Sequence, residues 1–123
     1  MKKLALILLV VFIGCSIDEE TADPILCTDD LRPGLEITVR DNTTDAILVE
    51  GVTIVATDGD YSETLQNTAN SDTFVGAIER RGTYFITITK EGYQAFSSTV
   101  PIIVDADLCH VILESRTFLL QSN

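Results

Sequence analysis

His110, the single histidine of the chain, stands between Cys109 and Val111. An imidazole titrates near neutrality and could act as a general base. That role needs a nucleophile within reach, and no recognisable motif sets a serine or cysteine beside it. The residues therefore predict no catalytic group, and a His110 placed in a strand with its ring hydrogen-bonded close to Cys109. Asp29-Asp30, Asp58-Gly59-Asp60 and Asp105-Ala106-Asp107 pair carboxylates on loops, the oxygen-ligand chemistry that suits Ca²⁺. None fits an EF-hand loop. Aspartates in turns more often accept backbone hydrogen bonds, so the expectation is turn chemistry, no metal and no cofactor. Arg80 and Arg81 could grip an anion, but beside Glu79 they read as a solvated surface pair. A sugar-stacking platform needs exposed aromatic faces. The chain has no Trp, and Tyr84 and Tyr93 are assigned to the core, which leaves Tyr61 and Phe85.

The three cysteines depend on where the protein resides. Lys2 and Lys3 precede an unbroken apolar run from Leu4 to Ile13, the pattern of a secretory leader over residues 1–14. The run is too short to span a bilayer, which takes about 20 residues. A membrane helix or a buried core helix is the alternative. Phe12-Ile13-Gly14-Cys15 resembles the lipobox of bacterial lipoproteins, which implies Cys15 as the lipidated, palmitate-bearing N-terminus. An ordinary leader that leaves Cys15 a plain thiol is the other reading. With Cys15 acylated, Cys27 and Cys109 remain as an even pair in an oxidising compartment, where a disulfide is the default. Two free thiols or a metal pair are its competitors. Closing so long a loop is worth roughly 4 to 5 kcal/mol at most in the chain-entropy model.

The formal net charge is −11, and loss of Lys2 and Lys3 makes it more negative. Such a balance argues against nucleic acid and against anionic headgroups as partners. Ser16-Ile17-Asp18-Glu19-Glu20 resembles the signal that sends some Gram-negative lipoproteins to the outer face of the outer membrane. A solvated acidic linker reads the same way, and the periplasmic face stays open.

These groups have to be positioned by strands. Residues 15–33, with Pro24 and Pro33 and repeated Asp and Glu, read as lipidated terminus and acidic tether, and the domain as residues 34–120. Its centre is Gly82 to Tyr93, where Tyr84, Ile86 and Ile88 alternate with Phe85, Thr87 and Thr89 between two glycines, the pattern of a half-buried strand. Leu35, Ile37 and Val39 give a first strand ending in the turn formers Asp41 to Asp45. A second runs from about Leu48 to Thr57, with Gly51 as a bulge or close approach, and a short third spans Tyr61 to Leu65. Gln66 to Asp72 reads as a mobile polar loop. Thr73 to Glu79 alternates Phe74, Gly76 and Ile78 against Val75 and Ala77. Later strands carry Phe96 to Val100, Ile102 to Val104, and Leu108 to Leu120, the last bent near Ser115 because its apolar parity changes. After residue 14 no helical apolar period persists. Short strands spaced by turns predict an all-β sandwich.

The series Gly34 to Asp41, Gly51 to Gly59, Gly76 to Arg80, Gly82-Thr83-Tyr84, Gly92-Tyr93 and Cys109-His110-Val111 resembles the carboxypeptidase regulatory-like domain, the transthyretin-like or prealbumin-like sandwich. It covers roughly residues 27 to 120. The resemblance implies a Greek-key β-sandwich of about seven strands, used as an accessory module, and a pairing of the cysteine before the first strand with that of Cys-His-Val. Hydroxyisourate hydrolases share the sandwich, but they use more than one histidine and end in Tyr-Arg-Gly-Ser, where this chain has one histidine and ends Leu119-Leu120-Gln121-Ser122-Asn123. The expectation is a lipid-anchored outer-membrane protein with a structural, adhesive or partner-binding role, no catalysis, and an envelope protein as partner. A small-ligand or glycan-binding surface module is the alternative.

Overall fold

The computed structural model describes residues 26–123. The leader over 1–14, Cys15 and most of the tether lie outside the described residues. Nine strands form two sheets: β1 (Leu35–Asp41), β2 (Thr53–Asp58), β3 (Tyr61–Thr64), β4 (Gln66–Asn67), β5 (Thr73–Gly76), β6 (Gly82–Thr89), β7 (Phe96–Ser97), β8 (Ile102–Val104) and β9 (Glu114–Leu120). One sheet has the order β4-β5-β1-β9. The other has the order β3-β2-β6-β7, with β8 also on β6. The described residues contain no helix.

Alternation builds the core. Leu35, Ile37 and Val39 of β1 are fully buried, as are Tyr84, Ile86 and Ile88 of β6 and Ile54 and Ala56 of β2. Leu65, Phe74, Ala77, Ile102, Val104, Val111 and Leu120 complete one cluster shared by both sheets, so the molecule is an all-β sandwich. Full burial of each such aliphatic side chain stabilises by about 1.5–3 kcal/mol. The outward residues of the central strand, Thr83, Phe85, Thr87 and Thr89, are exposed.

The pairing of β1 decides the functional end of the molecule. It lies antiparallel to β5 but parallel to β9, with Leu35 opposite Glu114 and Asp41 opposite Leu120. Segments leading into parallel neighbours leave the sheet at the same end. Residues 26–34 and 105–113 therefore meet.

Several strand boundaries differ from the expectations. The second strand starts at Thr53 rather than Leu48, because Val52 N–H donates to Val49 O and Gly51 adopts φ +72°, a turn that glycine accommodates. Ile47 and Leu48 fold back onto the end of β1 instead, Leu48 N–H donating to Val39 O at 2.8 Å. The polar stretch after Leu65 is not a free loop: β4 pairs with β5, and Asn67 Nδ2 donates to Ser71 O and Thr73 O. Alternation along β5 stops at Ala77, whose φ is +53°. Ala77 is buried and Ile78 exposed, the reverse of their expected faces.

The last strand starts at Glu114, and Ser115 pairs with Glu36 in unbroken register. The change of apolar parity is absorbed earlier, in an irregular stretch over 108–113. The strand count exceeds seven partly because β7 and β8 are one path along β6 interrupted before Pro101, which lacks the N–H a ladder needs. Ser98 Oγ fills the gap by accepting Ile86 N–H at 2.8 Å.

Candidate functional site

At the end where the tether joins, Cys27 and Cys109 form a disulfide with Cα atoms 5.2 Å apart and a sequence separation of 82. His110 follows immediately. It occupies a bend rather than the expected strand and is 8% exposed. Its backbone N–H and that of Cys109 both donate to Asp107 Oδ1, at 2.9 and 2.8 Å. These two bonds, His110 first, hold the Asp107 carboxyl below its usual range. The turn chemistry expected of Asp105-Ala106-Asp107 is present.

The His110 ring bridges two parts of the chain. Nδ1 lies 2.5 Å from Glu79 Oε2, and Nε2 lies 3.0 Å from Thr28 Oγ1. A carboxylate only accepts, so the shared proton resides on Nδ1. Glu79 Oε2 also accepts Arg32 N–H at 3.0 Å, and Oε1 accepts Val111 N–H at 3.2 Å. The His110 hydrogen bond, with these backbone donors behind it, keeps the Glu79 carboxyl below its usual range. Glu79 is thus no partner for Arg80 or Arg81, contrary to the surface pair expected from sequence. Its backbone has φ +50°, a conformation L residues rarely adopt. Glu79 N–H donating to Arg32 O at 2.9 Å secures it there.

Arg32 Nε bonds Asp30 Oδ2 at 2.7 Å. That pair, and then the Thr28 hydroxyl, hold the Asp30 carboxyl far below the usual carboxylate range. A cleft of about 390 Å³ opens beside these groups, lined among others by Asp30, Leu31, Glu79, Leu108 and His110. Asp29 and Asp30 therefore stand near Asp107, while Asp58 and Asp60 are elsewhere. Among the described residues no cluster of His, Cys, Asp and Glu is arranged to hold a metal ion.

Thr28, His110 and Glu79 are spaced as a hydroxyl, a base and an orienting carboxylate would be, a juxtaposition that local motifs could not disclose. Two features bear on its chemistry. Thr28 Oγ1 also accepts Arg32 Nη2–H at 3.4 Å, which engages a lone pair that a nucleophilic hydroxyl would need free. The consecutive N–H groups of Cys109 and His110 are engaged by Asp107 and do not point to a developing oxyanion, the usual requirement of acyl transfer. The arrangement fastens segment 26–33 to the loop over 105–113.

Arg80 and Tyr61 form a second cluster. The Arg80 guanidinium stacks 3.6 Å from the Tyr61 ring centroid and bonds Asp58 Oδ2 at 3.1 Å and Tyr84 Oη at 2.9 Å. Tyr61 Oη donates to Glu63 Oε1 at 2.7 Å. One face of the ring of Tyr61, one of the two aromatics that remain as stacking candidates, is covered by this guanidinium. Arg81 is exposed, with Asp105 at 3.9 Å.

A scan against models of known protein families finds no match to this chain, and a search of curated proteins finds none either.

Proposed function

We propose that this protein is a lipid-anchored module of the cell envelope, held at the outer membrane by an acylated Cys15 and serving a structural, adhesive or partner-binding role without catalysis of its own. The domain is of the carboxypeptidase regulatory-like kind on this reading, and its partner is another envelope protein. One observation carries it: the covalent link Cys27–Cys109 lies where the tether meets the sandwich. Tension arriving from a membrane anchor passes through that bond into the chain just before β9. The hydrogen-bonded segment 28–33 is bypassed and need not unzip. The fixed ring of His110 and the engaged N–H groups of Cys109 and His110 support a fastening role over a reactive one. A disulfide also suits an oxidising compartment, and several acyl chains on one residue give stable anchoring.

Labelled palmitate tests the anchor: it enters the wild-type protein and not Cys15→Ala, and only the former floats with membranes. Equal labelling of both removes the proposal. Protease added to intact cells then distinguishes the outer face from the periplasmic one.

A further inference from the structure

Exposed large apolar side chains gather at the tether end. Leu26, Leu31, Ile78, Leu108, Ile112 and Leu113 are all exposed, and each adjoins the fastening described above. Leu26 neighbours the disulfide, whose Cys27 Sγ lies 3.9 Å from Leu108 O. Leu31 and Ile78 precede Arg32 and Glu79, which are joined by Glu79 N–H donating to Arg32 O and Arg32 N–H donating to the Glu79 carboxylate. Ile112 N–H donates to Asp105 O, and Leu113 precedes the first residue of β9. The three most prominent are 87%, 74% and 80% exposed at Leu26, Leu31 and Leu108. Leu108 shares the cleft with Leu31 and an adjoining hollow with Leu26. Exposed leucines carried on connecting segments, rather than on a sheet face, can enter an interface without breaking backbone pairing.

We propose that this end of the sandwich docks on the membrane, with Leu26, Leu31 and Leu108 entering the interface of a bilayer of neutral or zwitterionic headgroups. The inference rests on the anchored reading given above. The chain outside the described residues supports this occupant. Its apolar and cysteine-bearing sequence lies N-terminal to Leu26, and Cys15 is near enough for the tether to span at most about 40 Å when extended. Tethering turns a weak surface contact into an intramolecular one at high effective concentration. Charge at this end is partly compensated: Asp30 pairs with Arg32, Glu79 bonds His110, and Asp107 accepts two backbone N–H groups, while Asp29 stays exposed beside them. The net charge, −11 over the full sequence and more negative without Lys2 and Lys3, sets the headgroup preference, since anionic lipid repels it.

The absence of Trp from the sequence makes a single Trp a clean reporter. Leu108→Trp and Leu31→Trp are placed at the docking end. Leu119→Trp, beside Arg40 on β9, is about 17 Å up the strands. Each full-length lipidated protein is reconstituted into phosphatidylcholine vesicles with brominated acyl chains. The expected result is blue-shifted emission and at least twofold quenching for Leu108→Trp and Leu31→Trp, none for Leu119→Trp, and loss of the difference when phosphatidylglycerol is added. Protein that floats with the vesicles while all three reporters stay unquenched overturns the docking and leaves the anchor standing. Protein that does not float overturns both. Burial of the two reporters only in intact envelopes, without lipid quenching, assigns the surface to a protein and also overturns the proposal.

Discussion

The His110 Nδ1–H donates to Glu79 Oε2 at 2.5 Å, across the gap between the loop that follows β8 and the turn that precedes β6. Through Arg32 N–H on the same oxygen and Val111 N–H on the other, this carboxylate joins three segments. Replacing it by Ala leaves those donors unpaired, whereas Gln keeps one acceptor oxygen but loses the charge. Glu79→Ala is therefore expected to lower the melting temperature more than Glu79→Gln, with amide exchange at Arg32 and Val111 accelerating first. Equal melting temperatures for both variants and wild type would show that the contact contributes nothing.

Removing the disulfide releases the same end. A loop with a sequence separation of 82 constrains the unfolded chain, and the double variant Cys27→Ser, Cys109→Ser is expected to lose about 2–5 kcal/mol. Chemical denaturation with and without reductant measures it. The wild-type protein should show no free thiol at these two positions, and recovery of both by alkylation before reduction would contradict the pairing.

Acid should weaken the opposite end. Tyr93 Oη donates to Asp41 Oδ2 at 2.7 Å, and Thr43 and Thr44 N–H donate to Oδ1. The Tyr93 hydroxyl first, then these backbone donors, hold the Asp41 pKa at about 2 against an ordinary 3.8. A depressed carboxylate contributes stability that is fully present above the unfolded value and is lost as pH falls through the folded one. Melting temperature is thus expected to fall between pH 3.8 and about 2, with Glu79 adding to the loss below its own ordinary value of 4.5. Asp41→Asn should flatten the lower part of that profile. An unchanged slope would remove Asp41 as its source.

Close packing beneath the fastening makes Gly34 intolerant of a side chain. A Cβ there would lie 2.6 Å from Val104 Cγ1 and 3.1 Å from Ala77 O. Gly34→Ala is expected to destabilise by about 1–3 kcal/mol through overpacking, read by urea denaturation. A neutral effect would mean that β8 yields without cost.

The alternation of Leu35, Ile37 and Val39, and of Tyr84, Ile86 and Ile88, was legible in the sequence because a strand sends successive side chains to opposite faces, whatever its neighbours are. So was the turn at Asp58-Gly59, where glycine takes φ +60°. On the reading that Cys15 is acylated, Cys27 and Cys109 remain as an even pair for which a disulfide is the default. Only the tertiary structure shows why they meet: β9 lies parallel to β1, so the segments before the two strands emerge together. No residue pattern encodes that direction, because pairing sense is set by contacts between distant parts of the chain. For the same reason Glu79 turned to His110 rather than to Arg80, and Arg80 to Tyr61. Charge identity is a property of the sequence, while the partner within hydrogen-bond reach is a property of the fold.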